Sequence, residues 1–218
     1  MNQSLYEADR WNDYAGCHAS VTTSYQLELF REAVSFLKGD VVDCGCGTAR
    51  IVPFLVGRQG VRQYLGVDAS EQMSMLAKKT ISYFKGGKFK IENKKIEEIN
   101  GDFTSAVSIH SFYSWPDPRK ILRHIYQILG SGAVFILATP NPKLDMPALL
   151  LEAEKELFAH PHFERFKELN LALSNHPAAL FLSMDKMVRL TQEAGFKLSE
   201  CHQNFYEGGV NFLVLETD

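Results

Sequence analysis

One stretch, Val41-Val42-Asp43-Cys44-Gly45-Cys46-Gly47-Thr48-Ala49-Arg50, constrains the fold of this chain more than any other segment. β-Branched residues lead into an acid and then into small turn residues, which is typical of a buried strand that ends in a tight turn before a helix. Glycines in such a turn let a ligand approach the backbone, and N–H groups at the start of the helix can face an electronegative group. The stretch therefore predicts a nucleotide-like ligand at the end of the first strand.

Strand-like and helix-like segments alternate along the chain, which predicts a mostly parallel sheet with helices on both faces. The predicted strands are 41–44, 63–67, 89–92, 105–110, 133–138, 196–205 and 210–216. The predicted helices are 21–38, 48–57, 70–84, a segment after Asp117-Pro118, and one from Ser183 to Ala194, with two amphipathic stretches near 146–159 and 162–173. The short link Tyr206-Glu207-Gly208-Gly209 allows only an antiparallel hairpin, so we expect the last strand to be reversed.

Composition and charge exclude several classes of protein. A chain of 218 residues with 45% hydrophobic content predicts one globular domain, 1–218, and a formal charge of −3 argues against a nucleic-acid scaffold. We expect no signal peptide and no membrane span, because the start is polar and no apolar run reaches about 18 residues. The four cysteines form no disulfide or zinc framework, and His160-Pro161-His162 lacks further ligands. These features predict a cytoplasmic protein without a metal site.

Asp43 and Asp68 each follow a predicted strand, about one strand-helix unit apart. Ligands of open parallel sheets bind outside the carboxyl ends of the strands, where an acid can accept hydrogen bonds from both hydroxyls of a ribose. A dinucleotide site needs Gly-x-Gly-x-x-Gly/Ala, but Arg50 stands at the last position after Gly45 and Gly47. The frame acid-x-Gly-x-Gly-x-Gly/Ala, which starts at Asp43, fits instead.

The ordered set of motifs resembles one family, the class I S-adenosylmethionine-dependent methyltransferases. The matching segments, in chain order, are 41–49 with Ala49 in place of the usual third glycine, Tyr64–Ser70, Ser108–Pro118, Leu129–Thr139 and Glu193–Phe196. The resemblance covers roughly residues 25–140 and 183–218. It implies a Rossmann-like α/β fold with a seven-stranded, mostly parallel sheet, an antiparallel last strand and helices on both faces.

The resemblance also implies S-adenosyl-L-methionine as the cofactor and S-adenosyl-L-homocysteine as the product. The residues that it assigns are Asp43, Gly45, Cys46 and Gly47 around the methionine part, Asp68 on the ribose, Ala69, Lys95 and Ile96 around the adenine, and His110 beside the methionine part. One departure concerns the adenine: the family often has an acid after the third strand, and Asn93–Glu98 offers none at the aligned position.

Three side chains are candidates for a catalytic role. His110 at the end of the fourth strand could act as a general base, or it could pack beside the methionine part. Tyr113, with Trp115, could shape an aromatic pocket and stabilise a sulfonium by cation–π contact, or belong to the core. Tyr14 lies on an N-terminal arm, residues 1–20, which could either pack on the body or close over the ligand. Methyl transfer mainly requires alignment of the donor and the acceptor and the removal of water.

The segment 140–182 falls between the fifth strand and the last helix, and it is too apolar for a solvent loop. We expect a helical lid over a small, partly apolar acceptor, or else the interface of a homodimer. The loop His110-Ser111-Phe112-Tyr113 lacks the Asn/Asp-Pro-Pro-aromatic motif of enzymes that methylate adenine or glutamine, and no membrane or nucleic-acid partner is expected.

The leading hypothesis is therefore methyl transfer to an oxygen or nitrogen of a small molecule by in-line displacement, in a monomer or in a homodimer formed through 140–182. Two alternatives remain open. A tRNA or protein methyltransferase would use the lysines at 78, 79, 85, 88, 90, 94 and 95, which otherwise form a solvated rim. A non-catalytic subunit would bind the cofactor or a partner without turnover.

Overall fold

The computed structural model describes residues 8–84 and 88–218; Tyr6 of the predicted arm and Lys85 of the lysine rim lie outside this range. Seven strands form one sheet in the described part of the chain: β1 (Gly39–Cys44), β2 (Val61–Asp68), β3 (Phe89–Asn93), β4 (Phe103–Ile109), β5 (Leu129–Pro140), β6 (Lys197–His202) and β7 (Val210–Glu216). Eight α-helices accompany them: α1 (Ala8–Ser20), α2 (Ser24–Phe36), α3 (Val52–Leu55), α4 (Glu71–Ser82), α5 (Pro118–Gln127), α6 (Met146–Leu157), α7 (Phe163–Ser174) and α8 (Met184–Glu193).

The strand order is β3-β2-β1-β4-β5-β7-β6. Strands β1 to β5 pair in parallel, and β7 runs antiparallel to both β5 and β6. The predicted Rossmann-like sheet with a reversed last strand is confirmed. Because β1 pairs with β2 on one side and with β4 on the other, the chain changes direction across the sheet at β1, and the crevice at the carboxyl ends of β1 and β4 is a switch point of the kind that binds ligands.

Each face of the sheet buries its own apolar cluster, because successive side chains of a strand point to opposite faces. Val41 packs with Leu29 and Val34 of α2 on one face. Its neighbour Val42 packs on the other face with Ile121 of α5. A sheet covered on both sides explains why residues 133–138 of β5 are a continuous apolar run.

Helix starts agree with the capping residues in the sequence. Thr23 caps α2 in a capping box with Gln26, and the Ser70 hydroxyl accepts a hydrogen bond from the backbone N–H of Met73 at the start of α4. The expected helix 48–57 is wrong at its start, because the structure has only the short helix α3 there. Ala49 has a left-handed backbone with a φ of 58°, so the chain cannot be helical before that residue.

A third apolar cluster joins α1 to the inserted helices α6 and α7. It includes Tyr14 and Ala15 of α1, Leu150 of α6, and Phe163 and Phe166 of α7. The N-terminal arm and the insertion therefore pack against each other, beside the carboxyl edge of the sheet. In the described part of the chain, no helix is both long and apolar enough to cross a membrane, and all four cysteines are free thiols.

Candidate active site

The turn after β1 adopts backbone conformations that strongly favour glycine. Gly45 and Gly47 have φ angles of 83° and 54°, and a Cβ atom on Gly45 would lie 2.1 Å from the Ser111 hydroxyl oxygen. Ala49, at the position of the usual third glycine, has the same left-handed conformation, which costs an L-residue about 1 kcal/mol. The turn thus places the small residues Gly45, Cys46 and Gly47 in the wall of the crevice.

Asp43 lies buried under this turn. Its carboxyl accepts a hydrogen bond from the Tyr64 hydroxyl at 2.7 Å. Burial raises the pKa of Asp43 to about 7; the Tyr64 hydrogen bond opposes this shift and the neighbouring Asp68 adds to it. The carboxyl is therefore poised to become an anion when a cationic group, such as an ammonium, binds beside it.

Asp68 at the end of β2 joins the glycine turn to the start of α4. Its two oxygens accept the backbone N–H groups of Gly47 and Ser70, each at 2.9 Å. Burial raises the pKa of Asp68, and these two N–H groups oppose the rise. A carboxylate has about four acceptor positions, so two remain for the hydroxyls of a ribose, and the residue fits the predicted nucleoside.

A single cavity of about 180 Å³ brings the predicted residues together. Its wall contains nearly all of the residues assigned from the sequence: Tyr14, Asp43, Gly45, Cys46, Gly47, Asp68, Ala69, Ile96, His110 and Tyr113. Lys95 is the exception. Lys94 lines the cavity in its place, and the backbone N–H of Lys95 is bonded to the Glu98 carboxylate.

His110 follows β4 in a left-handed conformation with a φ of 56°, which turns the chain sharply into the loop over the cavity. Its Nε2 is 3.1 Å from the Tyr206 hydroxyl, whereas its buried Nδ1 has no partner among the described residues. Burial, with the nearby Arg50 cation, lowers the pKa of His110 to about 3. The imidazole is therefore neutral and weakly basic, which favours a hydrogen-bonding role over proton abstraction.

A chain of aromatic rings covers the cavity. Trp11 contacts both Tyr14 and Tyr113 edge-on, with ring centres 6.0 and 6.2 Å apart, and Tyr113 contacts Phe181 of the insertion at 5.7 Å. The Asn170 side chain on α7 donates a hydrogen bond to the Tyr14 hydroxyl at 3.0 Å. For Tyr113 and Trp115, the sequence left open whether they belong to the core or to a pocket. Both are buried, and both line the cavity.

Several residues of the cavity wall were not predicted from the sequence, and His18, Arg50 and Tyr206 are prominent among them. In the sequence, Arg50 served only to exclude the dinucleotide pattern. A cation in a turn of small residues could also have indicated a group that contacts the ligand. His18 lies on α1 directly above Gly47, and Tyr206 lies in the link between β6 and β7. His18 and Tyr206 reach the turn only through the packing of distant elements, so no spacing in the sequence indicated these two residues.

The family and the fold of the chain agree with known proteins. A family model described as a methyltransferase domain matches residues 23–200. Among solved structures, the chain resembles the complex of the Haloferax volcanii Trm112 methyltransferase activator with a methyltransferase-type chain (TM-score 0.67, 15% identity, covering 95% of this chain and 97% of that chain).

Two further structures are similar in fold. One is a Thermotoga maritima S-adenosylmethionine-dependent methyltransferase described as a possible histamine N-methyltransferase (TM-score 0.62, 17% identity, 98% and 97% coverage). The other is a mycolic acid cyclopropane synthase solved with S-adenosylhomocysteine (TM-score 0.66, 14% identity, 88% and 84% coverage). A comparison with curated proteins gave no match. Because the family model covers most of the chain, this protein belongs to the methyltransferase domain family and is a class I S-adenosylmethionine-dependent methyltransferase.

Proposed function

We propose that the acceptor is a small, partly apolar molecule that is methylated on an oxygen or a nitrogen. The observation that carries this proposal is the shared cavity: the glycine turn and Asp68 form one side, and Leu149, Leu150 and Phe166 of the inserted helices form another. A cavity that joins a nucleoside site to apolar side chains suits a small acceptor better than a polymer. The bound cofactor supplies an activated methyl group, and the chain supplies alignment and exclusion of water.

The residue roles in this proposal follow from the same geometry. Asp43 would pair with the cofactor's ammonium, Asp68 would hold the ribose hydroxyls, and Ala69 and Ile96 would flank the adenine. Gly45, Cys46 and Gly47 would lie against the methionine part. Tyr14, His110 and Tyr113 would face the acceptor, with His110 and Tyr206 orienting it by hydrogen bonds; Lys95 would contribute at most through its backbone.

The segment 140–182 would act as the lid. Two hydrogen bonds connect its ends to the site: the Leu180 N–H donates to the Tyr113 carbonyl at 2.9 Å, and the Asn141 side chain donates to the Gly208 carbonyl at 2.8 Å. Both hydrogen bonds lie next to side chains that line the cavity, so a displacement of the lid would also displace Tyr113 and Tyr206. Leu151 and Phe158 of the same segment are exposed, and they are the surface through which a homodimer would form.

Calorimetric titration with S-adenosylhomocysteine tests the cofactor half of the proposal, and transfer of a labelled methyl group to a panel of small alcohols, acids and amines tests the acceptor half. Asp68→Ala should weaken S-adenosylhomocysteine binding by about tenfold or more, because the ribose loses a charged acceptor. Asp185→Ala is the matched control, since Asp185 is exposed and does not line the cavity. Equal binding by both variants would contradict the assignment of Asp68.

The RNA alternative has a specific weakness. Lys94 and Lys90 of the basic rim both pair with Glu92, so their charges are partly compensated. We expect no RNA binding at low salt; affinity that falls steeply as salt rises would favour the alternative. The Haloferax volcanii neighbour was solved with an activator, which motivates a second experiment in which the purified chain is assayed alone. Turnover by the chain alone would exclude both an obligatory partner and a non-catalytic role.

A further inference from the structure

Arg50 lies in the wall of the cavity, and no acidic side chain among residues 8–84 and 88–218 forms an ion pair with it. Its guanidinium donates to the Val21 carbonyl at 2.8 Å and to the Gln26 side-chain oxygen at 3.1 Å, and its Nη2 lies 2.8 Å from His18 Nε2. All three acceptors are neutral, and Nε has no partner among the described residues. A guanidinium has five N–H donors, so two remain unused: the Nε donor, which is buried, and the second N–H of Nη2, which is the one left for a ligand.

The charges around Arg50 do not compensate it. In the described part of the chain, Asp43 and Asp68 are the only carboxyl side chains that line the cavity, and they are bonded to Tyr64 and to backbone N–H groups. Burial lowers the pKa of Arg50, as expected for a cation that has lost water without gaining an anion. Arg50 is partly buried, and its guanidinium lies 5.8 Å from the centre of the Phe30 ring, which is a neutral partner. A bound anion would offset the cost of burying this charge.

The surroundings of Arg50 fit one negative charge rather than two. Lys94, the other lysine or arginine in the wall, is engaged by Glu92 at 2.9 Å. His18 accepts from Arg50 and contacts the Thr48 hydroxyl, and burial, with the Arg50 charge, keeps its pKa well below the ordinary value. Among the described residues of the wall, Arg50 is therefore the one cation without a carboxylate partner, and one such charge matches a carboxylate.

A second donor lies beside this cation. The His18 ring that contacts Arg50 packs against the Tyr14 ring, with centres 5.6 Å apart. The Tyr14 oxygen accepts from Asn170, which leaves its O–H proton free for an anion. From Tyr14 the wall continues through Trp11 and Tyr113 to apolar lid residues such as Leu150.

We propose that the acceptor is an amphiphilic carboxylic acid, whose carboxylate binds to Arg50 and the Tyr14 hydroxyl and whose apolar body lies under the lid. This inference rests on the proposed function and names its substrate class. The unused N–H of Arg50 Nη2 and the Tyr14 hydroxyl supply the recognition of the carboxylate, and the aromatic wall supplies the apolar contact.

The test uses the full chain saturated with S-adenosylhomocysteine. Octanoate and phenylacetate are titrated by calorimetry, each against its neutral amide, and octanoate is also compared with octyl phosphate. We expect each acid to bind about tenfold or more tighter than its amide, because a charge-assisted bond is lost in the amide. If the acids bind the wild-type protein no more tightly than their amides, the inference is wrong. If octyl phosphate binds more tightly than octanoate, the assignment to a carboxylate is wrong.

Arg50→Met and Arg50→Lys then locate the subsite. The methionine variant should lose the preference for acids, and the lysine variant should keep part of it, with circular dichroism confirming that both are folded. Arg50 could instead pair with the cofactor's own carboxylate. In that case Arg50→Met would weaken S-adenosylhomocysteine but not 5′-methylthioadenosine, which lacks the amino-acid end, and the inference would be wrong. If wild-type protein does not bind S-adenosylhomocysteine at all, the proposed function itself is wrong.

Discussion

At the scale of single residues, the turn after β1 combines left-handed backbone with close packing. Ala49 is fully buried and has a φ of 58°, in a position where the methyltransferase motif usually has glycine. Alanine is tolerated because the strain of the left-handed conformation is offset by the burial of one methyl group. A branched side chain would gain no comparable contact and would suffer more strain.

We therefore expect Ala49→Val to lower the free energy of unfolding by about 2 kcal/mol or more, while Ala49→Gly changes it by less than about 1 kcal/mol. Urea unfolding of the three proteins measures both values. A valine variant as stable as the wild type would show that the left-handed conformation at Ala49 is not required.

His110 leads to a second prediction at this scale, because its pKa of about 3 makes it a neutral hydrogen-bonding group above pH 5. At saturating cofactor, the dependence of kcat on pH between about pH 5 and 8 should have the same shape in the wild type and in His110→Asn, because His110 does not titrate in that range. Asparagine tolerates the left-handed backbone, so this variant should stay folded. An inflection near pH 6.5 in the wild type that is absent from the variant would assign proton abstraction to His110 after all.

At the scale of elements, α1, α6 and α7 form a unit that covers the carboxyl edge of the sheet. The hydrogen bond from Asn170 of α7 to Tyr14 of α1 lies among apolar contacts, which are not directional and would not by themselves fix the position of one helix relative to the other. It fixes the position of the Tyr14 hydroxyl in the cavity. In the proposed function, the inserted helices would act on the acceptor side of the site, while Asp43 and Asp68 on the sheet would act on the cofactor side.

This division predicts that Asn170→Ala raises KM for the acceptor several-fold and leaves the affinity for S-adenosylhomocysteine within about twofold, since one hydrogen bond contributes about 1 kcal/mol. Asn175→Ala is the matched control: it lies at the end of the same helix, is exposed, and bonds only its own helix at Leu171. Steady-state kinetics with the acceptor found in the methylation screen, together with calorimetry, separates the two effects. Equal loss in both parameters would argue against separate cofactor and acceptor sides.

At the scale of the whole molecule, the site lowers the stability of the fold. The pKa of Asp43 rises from 3.8 to about 7 on folding, so the native state binds more protons than the unfolded state between these values. Stability attributable to this group therefore falls as pH rises from about 4 to 7, and the full penalty, on the order of 4 kcal/mol, is present above pH 7.

Asp43→Asn should remove this penalty while keeping an acceptor for the Tyr64 hydroxyl. We expect the variant to be more stable than the wild type, with a gain about 3 kcal/mol larger at pH 8 than at pH 5. Urea unfolding at the two pH values measures the difference, and the exposed Asp185→Asn serves as the control. A gain that is equal at both pH values would contradict the raised pKa, and a variant that still binds S-adenosylhomocysteine with full affinity would contradict the role proposed for Asp43.

The local and periodic features of this protein could be predicted from the sequence. Val41 and Val42 alternate between two faces, Thr23 and Ser70 cap helices, and the short link before β7 forces a hairpin, all through interactions between near neighbours. The errors lie at the boundaries of elements, where local interactions alone do not decide the structure. The helix expected at 48–57 is short because Ala49 is left-handed, and β5 is longer than expected because its ends pair with β4 at Phe103 and with β7 at Val210.

The sequence could predict that the glycine turn and the two acids lie together, because each is within a few residues of a strand end and a parallel sheet brings such ends to one edge. The surroundings of the proposed acceptor side were decided only by the tertiary structure. Arg50 contacts Val21, Gln26 and His18, and His110 contacts Tyr206, which is 96 residues away in the chain. Whether a cation keeps or loses its counter-charge depends on which distant side chains surround it, and no spacing along the sequence carries that information.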